Sequence, residues 1–276
     1  MRVALLGDIH ANIEALNVVM QALSRERVDA IYHTGDVVGY CTDFAAVIEL
    51  LKREGIRGVC GNHELMLLGK IDTASSSQDA QCAIEWTRRR IAANELQHLA
   101  ELPGRLLASG LVIFHAAPDS WDRNINGVSV AGEAFVQLQR ELRDWSIAVH
   151  GHTHKQRVFE WRDGRAGLVH YGKGTLGIDS NVRYLVCPGS VGVSRDRDPR
   201  AAYALYDDAG VIEFKRIHYD WQKCRLKLVA AGLKTPLYNR RHSVLHYVRT
   251  YAVKAVARIS GMWLSVRHRS GGGRAR

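Results

Sequence analysis

No unbroken apolar run in the 276 residues approaches the roughly 18 that a membrane-spanning helix needs, so a spanning protein is not expected. Cysteine is scarce. The five residues, at positions 41, 60, 82, 187 and 224, are odd in number, scattered and never in C-x-x-C spacing. That excludes a disulfide framework and a zinc ribbon, and leaves buried or half-buried thiols in a reducing cytoplasm. The opening Met1-Arg2-Val3-Ala4-Leu5-Leu6-Gly7-Asp8 lacks the longer apolar region and small-residue cleavage site of a signal peptide. It reads as a short buried strand running into polar residues, and the expected location is cytoplasmic.

Acidic residues are missing from one region only. Residues 240–276 hold nine Lys and Arg and no Asp or Glu, so the first 239 residues carry 29 basic against 28 acidic groups. The net charge of +10 therefore belongs to a tail on a nearly neutral body. With 46% hydrophobic and 24% charged residues and a mean hydropathy of −0.17, that body can fill a sizeable core. A wholly disordered chain is excluded.

Apolar runs ending in polar or glycine residues recur at Val3–Gly7, Val28–Gly35, Gly58–Gly61, Leu111–His115 and Ile147–Gly151. Between the early runs, Ile13–Ser24 and Phe44–Arg53 repeat apolar residues at three- and four-residue spacing, with Asn12 placed to cap the first. This alternation predicts βαβ units and a largely parallel first sheet. Residues 65–110, with Ser75-Ser76-Ser77, a helical run near Ala80–Ala93 and a Leu-Pro-Gly break at 102–104, read as a helical excursion between strands. After His154 come short strands at Gln156–Trp161, Gly167–Tyr171, Arg183–Cys187, Ala202–Tyr206 and Val211–Ile217, which predict a second, more antiparallel sheet. No internal repeat is present. From Ser243 to Val266 the apolar positions 244, 248, 251, 255, 259, 262 and 266 mark one face of a basic amphipathic helix, and Gly271–Arg276 is expected to be disordered. That helix can dock on the body or pair with a second copy, and contact with nucleic acid or an anionic membrane is the alternative.

The chemistry gathers where strands end. Asp8-Ile9-His10 follows the first strand, Gly35-Asp36 the second, Gly61-Asn62-His63-Glu64 the third, His115 closes Leu111–Phe114, and Gly151-His152-Thr153-His154 follows Ile147–Val149. Open α/β sheets bind ligands at the carboxyl ends of their strands, so five segments converge on one rim. Two Asp, one Asn and four His form a mixed nitrogen and oxygen donor set large enough for two divalent cations, with Asp36 suited to bridge them. No cysteine joins the set. His33 and His150 read as core or supporting residues. Asn12, Tyr40 and Arg195 are candidates to touch substrate, against readings as a helix cap, a packed ring and a solvated arginine.

This order of motifs, D-x-H, G-D, G-N-H-[D/E], H and G-H-x-H, resembles the calcineurin-like metallophosphoesterase superfamily. Gly7-Asp8-Ile9-His10-Ala11-Asn12 and Pro188-Gly189-Ser190-Val191-Gly192, followed by Arg195 and Asp198-Pro199-Arg200, are similar to its small prokaryotic phosphodiesterase-type members. The resemblance implies a four-layer α/β/β/α sandwich of two packed sheets over residues 1–220; beyond it, charge and periodicity predict a helical basic extension with a disordered end over residues 221–276. It implies one cation held by Asp8, His10, Asp36 and His154, and a second by Asp36, Asn62, His115 and His152. By the same resemblance His63 is catalytic, hydrogen-bonding substrate and assisting departure of the leaving oxygen. Its neighbour Asn62 shares the loop, and imidazole titrates near neutrality.

The activity implied is hydrolysis of phosphoric esters, phosphodiesters first, by a hydroxide bridging two metals. Manganese is favoured among Mn, Fe, Ni, Co and Zn. Phosphomonoester, phosphoprotein and dinucleoside polyphosphate substrates, and a non-enzymatic scaffold of the same fold, are the alternatives.

Overall fold

The computed structural model describes residues 1–234 other than 75 and 197. The expected tail helix and glycine-rich end lie outside the described residues. The chain opens with β1 (Arg2–Leu6), α1 (Ile13–Leu23), β2 (Ala30–His33), α2 (Phe44–Arg53) and β3 (Arg57–Gly58). There follow α3 (Asn62–Leu67), α4 (Gln78–Arg88), α5 (Ala93–Ala100), β4 (Arg105–Ala108), β5 (Leu111–Phe114), α6 (Val128–Glu141) and β6 (Ile147–Val149). The last third holds β7 (Gln156–Arg162), β8 (Arg165–Tyr171), β9 (Gly174–Gly177), β10 (Arg183–Pro188), β11 (Ala201–Asp207), β12 (Val211–Ile217) and α7 (Trp221–Ala230).

Local chemistry accounts for the helix boundaries. Asn12 accepts a hydrogen bond from the Ala15 N–H (3.1 Å), which satisfies one of the free donors at the start of α1. In α2 the buried residues Phe44, Val47, Ile48, Leu50 and Leu51 form one face. Ser77 caps α4 through the Ala80 N–H (3.3 Å). The helical excursion is present as α3, α4 and α5, though α5 has only Leu99 buried and leaves a weak periodic signal.

The division of strands between sheets differs from expectation. The first sheet runs β3-β2-β1-β11-β12-β9 and the second β4-β5-β6-β10-β7-β8, so each mixes strands from both halves of the chain. Parallel pairing joins β3, β2 and β1 in one sheet and β5, β6 and β10 in the other. The flanking pairs are antiparallel, including β1 with β11 (Leu5 opposite Ala204). The reason is burial. With β1 covered on both faces, its free edge requires a partner with an equally apolar run, and β11 supplies one from 200 residues away.

Three apolar cores separate four layers, as an α/β/β/α sandwich requires. The first packs α1, α2 and α7 against the first sheet, the second fills the space between the sheets with residues such as Val3, Leu5, Val149, Val186 and Phe214, and the third seats α6 on the second sheet. Helix α7 starts where the basic extension was expected, and buries Cys224 and Leu228 in the first core. The cysteines are free thiols, four buried and Cys82 exposed. No helix among the described residues is long and apolar enough to cross a membrane.

Candidate metal centre

Each predicted donor follows the carboxyl end of a strand: Asp8 and His10 after β1, Asp36 after β2, Asn62 after β3, His115 after β5, and His152 and His154 after β6, with the predicted catalytic His63 beside Asn62. Backbone hydrogen bonds knit these loops together, His10 N–H to Asp36 C=O (2.8 Å), Gly151 N–H to His115 C=O (2.8 Å) and Gly192 N–H to Asp8 C=O (3.1 Å). Close approach is bought with glycine. A Cβ on Gly61 would collide with the Asp36 carboxylate and one on Gly151 with the Thr34 hydroxyl. Five of the seven donors, Asp8, His10, Asp36, His152 and His154, have positive φ between 48° and 62°. For residues bearing a Cβ this left-handed backbone costs about 1–2 kcal/mol each, so the surrounding fold holds the donors in place against local preference.

The donor atoms converge in two groups. Asp8, His10, Asp36 and His154 present atoms within 4.8 Å of one another, as do Asp36, His115 and His152, and Asp36 belongs to both. His10 Nε2 lies 3.6 Å and His115 Nε2 3.5 Å from the same Asp36 Oδ2. Asn62 Oδ1 lies 2.9 Å from His115 Nε2 and 3.1 Å from His152 Nδ1, which places it in the second group.

Tautomers reveal what these groups need. His10 Nδ1 donates to Val38 C=O (3.0 Å), His115 Nδ1 to Thr34 C=O (2.8 Å), and His154 Nδ1 to Val193 C=O. His152 is reversed, with Nε2 donating to Asp122 C=O (2.7 Å). A carbonyl only accepts, so each ring spends its proton there and turns a bare lone pair inward. His10 Nε2 and His154 Nε2 thus face each other at 3.1 Å with no proton between them, and His115 and His152 face the carbonyl oxygen of Asn62. Asp8 Oδ2 is buried without a partner. Opposed lone pairs beside an orphaned carboxylate oxygen repel one another, and a cation turns the repulsion into coordination. The donors fit divalent cations.

Burial sets the protonation of the site. Desolvation raises the Asp8 carboxyl to about 7 and pushes Asp36 and Glu64 upward. The same cause holds His10, His115 and His154 far below the usual imidazole range, and His63 and His152 at about 3 and about 4. A bound cation reverses the carboxylate shifts by supplying the missing counter-charge.

His63 lines the adjoining cavity, with Nδ1 buried and unpartnered and Nε2 3.9 Å from Asp36 Oδ2. Tyr40 and Arg195 line the same cavity, and Arg195 Nη2 donates to the Tyr40 hydroxyl (3.1 Å) while Nη1 reaches His152 C=O (3.3 Å). Asn12 departs from the substrate-contact expectation. It is fully buried, its oxygen capping α1 and its nitrogen donating to Gly192 C=O (2.8 Å), so neither end of the amide is open to a ligand. His33 and His150 are buried outside the donor groups.

Glu64 was quoted in its motif and given no role. Its carboxylate accepts from the N–H groups of Asp36 (2.9 Å), Val38 (3.0 Å) and Gly61 (2.8 Å), clamping the β2 and β3 loops together. Its signal was a capping box, an acid three residues after the N-cap Gly61. The outer wall was also missed. Met66, Ile71, Asp72 and Asp79 from the helical excursion and Asp122 and Asn124 from the β5–α6 connection complete a cavity of about 450 Å³.

The family model for the calcineurin-like phosphoesterase superfamily domain matches residues 1–209. An uncharacterized protein of Methanocaldococcus jannaschii is 29% identical over 236 residues, 82% of this chain and 91% of that protein. The symmetrical bis(5'-nucleosyl)-tetraphosphatase of Photorhabdus laumondii is 34% identical over 101 residues, 31% of this chain and 37% of that enzyme. The crystal structure of a metallophosphoesterase from Sphaerobacter thermophilus superposes with a TM-score of 0.72 at 30% identity, covering 87% of this chain and 98% of that one. The chain therefore belongs to the calcineurin-like phosphoesterase superfamily.

Proposed function

We propose that this phosphoesterase hydrolyses phosphodiesters with two divalent cations, Asp8, His10, Asp36 and His154 holding one and Asp36, Asn62, His115 and His152 the other. The observation that carries the reading is Asp36, whose carboxylate is common to both donor groups. Two cations held there supply Lewis acidity towards a phosphoryl group and activate water as the nucleophile. The chain's own residues do the rest. Arg195 spends two of its five N–H donors on Tyr40 and His152, leaving the others to grip a phosphoryl oxygen from the cavity wall. His63 is a neutral imidazole, since burial holds it at about 3, and so brings an N–H to the leaving oxygen without adding charge beside the cations.

The rim favours a diester over a polyphosphate. Asp72, Asp79 and Asp122 stand on the cavity wall, and they would repel phosphates beyond the one held at the centre. The local similarity to a bis(5'-nucleosyl)-tetraphosphatase makes diadenosine tetraphosphate the substrate to compare.

The test is a side-by-side assay with manganese of bis(p-nitrophenyl) phosphate, p-nitrophenyl phosphate and diadenosine tetraphosphate. The diester is expected to turn over fastest, and His63→Ala to lower its kcat by roughly 10²–10⁴-fold. Diester turnover that survives in both Asp36→Asn and His63→Ala would overturn the assigned site. No turnover of any ester by protein carrying two bound metals would leave a binding scaffold.

A further inference from the structure

A second cavity, of about 550 Å³, opens at the edge of the second sheet opposite the metal rim. It lies at the amino ends of β5, β6 and β10, where Gly110, Ser146 and Arg183 begin or precede the strands whose carboxyl ends lead to His115, His152 and Arg195. Its size falls within the roughly 300–1,000 Å³ of small-ligand pockets.

Its wall holds two arginines, Arg143 and Arg183, and one acidic residue, Asp144. Arg143 is exposed and, among the described residues, makes no ion pair or hydrogen bond. Arg183 has no acidic partner either. It donates to Trp145 C=O (3.3 Å) and lies 5.4 Å over the Trp145 ring, which presents its charge in a fixed place. The indoles are equally fixed. Trp145 and Trp161 both pack on Phe135, at 6.1 and 5.5 Å between ring centres, and Trp161 sits directly across the strand pair from Arg183. Trp145 is 93% buried, yet its indole N–H finds no acceptor. A buried donor without a partner is costly, and the residue that carries it lines a cavity whose wall holds two guanidiniums against one carboxylate, with Trp161 beside them.

We propose that this cavity is a second ligand site, which takes a small anion carrying a planar ring, the chemistry of a nucleoside monophosphate. The phosphate pairs with Arg143 and Arg183, and the ring stacks on Trp161. Free guanidinium forks suit phosphate oxygens, and a half-exposed indole accepts any base face. The site is independent of the metal centre and of the activity proposed for it.

AMP titrated into the full-length chain, followed by tryptophan fluorescence and calorimetry, tests this. AMP should bind saturably, and adenosine, which lacks the phosphate, about tenfold more weakly. Arg143→Gln removes an exposed side chain on which the fold does not depend. It should weaken AMP about tenfold and leave diester hydrolysis unchanged. Trp161→Phe, which keeps a stacking face, should bind better than Trp161→Ala. Asp36→Asn, disabled at the metal centre, should bind AMP as the parent does. Binding that is lost in Asp36→Asn and unchanged in Arg143→Gln would put the nucleotide in the catalytic cavity and overturn the proposal. So would the absence of any saturable binding at millimolar AMP.

Discussion

Between the two sheets, Val3, Leu5, Val149, Val186 and Phe214 pack as side chains of regular strands, with nothing polar to satisfy. Just beyond strand ends on the same sheets, Asp8, His10, Asp36, His152 and His154 are also buried, but on strained backbone, and His10 and His154 turn lone pairs towards one another. One region gains stability from every contact. The other stores unfavourable desolvation, strain and repulsion that only a ligand of opposite charge relieves. Substitutions in the slab should therefore cost stability and spare chemistry, while those in the rim should cost chemistry and can even stabilise the metal-free fold.

The largest expected effect comes from Asp8→Asn. It keeps the hydrogen bond from the His152 N–H (2.8 Å) and cannot become an anion. Diester hydrolysis should fall on the order of 10³-fold, by analogy with removing a charge-stabilising group. Metal-free Asp8→Asn should melt at or above the parent at pH 8, where the parent must bury the Asp8 carboxylate. Manganese should raise the melting temperature of the parent far more than that of the variant, since saturating ligand at 100-fold over its Kd adds about 2.7 kcal/mol. A metal-free variant that melts well below the parent would break the comparison.

Phe214→Ala is the counterpart in the slab. Phe214 is buried on β12 and stacks on His170 with ring centres 4.5 Å apart. Its loss should cost about 3–5 kcal/mol in urea unfolding. Turnover per folded molecule should stay within about twofold, because no donor touches this ring.

Glu64→Gln sits on the boundary between the two regimes. The amide keeps one good acceptor where the carboxylate serves three N–H groups. A loss of about 1–3 kcal/mol is expected, together with weaker metal binding in a manganese titration, since the clamp positions both Asp36 and Asn62. Loss of stability with unchanged metal affinity would move Glu64 wholly into the structural camp.

The smallest effect is in the pH profile. Burial holds His33 at about 3 and His150 at about 4, below the ordinary 6.5. The unfolded chain takes up protons that the folded one refuses, so the stability these residues contribute is full above 6.5 and is lost as pH falls towards 4. The metal-free protein should lose melting temperature over that window, and His33→Asn should flatten the slope. A raised Asp8 carboxyl acts in the opposite sense. Its contribution declines as pH rises from about 4 to about 7, so Asp8→Asn should steepen the acid-side loss.

Much of the site was legible because its signals are local. A carboxylate or imidazole just beyond a buried strand, five times in order, needs no knowledge of what the strand pairs with. Helix α2 matched its expected Phe44–Arg53 span and Asn12 capped α1 for the same reason, since periodicity and capping act within one or two turns. Asn12 also shows the limit. Its position beside Asp8-Ile9-His10 suggested substrate, but the cap and Gly192 occupy both ends of the amide.

The carbonyls of Val38, Thr34 and Val193, which set the histidine tautomers, carry no side-chain signal, because every residue has a carbonyl. The sharing of strands between sheets was likewise invisible, as β1 and β11 meet only after the entropy of a 200-residue closure has been met.

The sequence by itself determined which groups could donate to a metal and that they stand at strand ends, because strand endings and donor types are written in short runs of residues. Tertiary structure alone decided which ring nitrogen faces inward, which loops wall the cavity and which edge of β1 takes β11. Those depend on atoms brought together from distant parts of the chain.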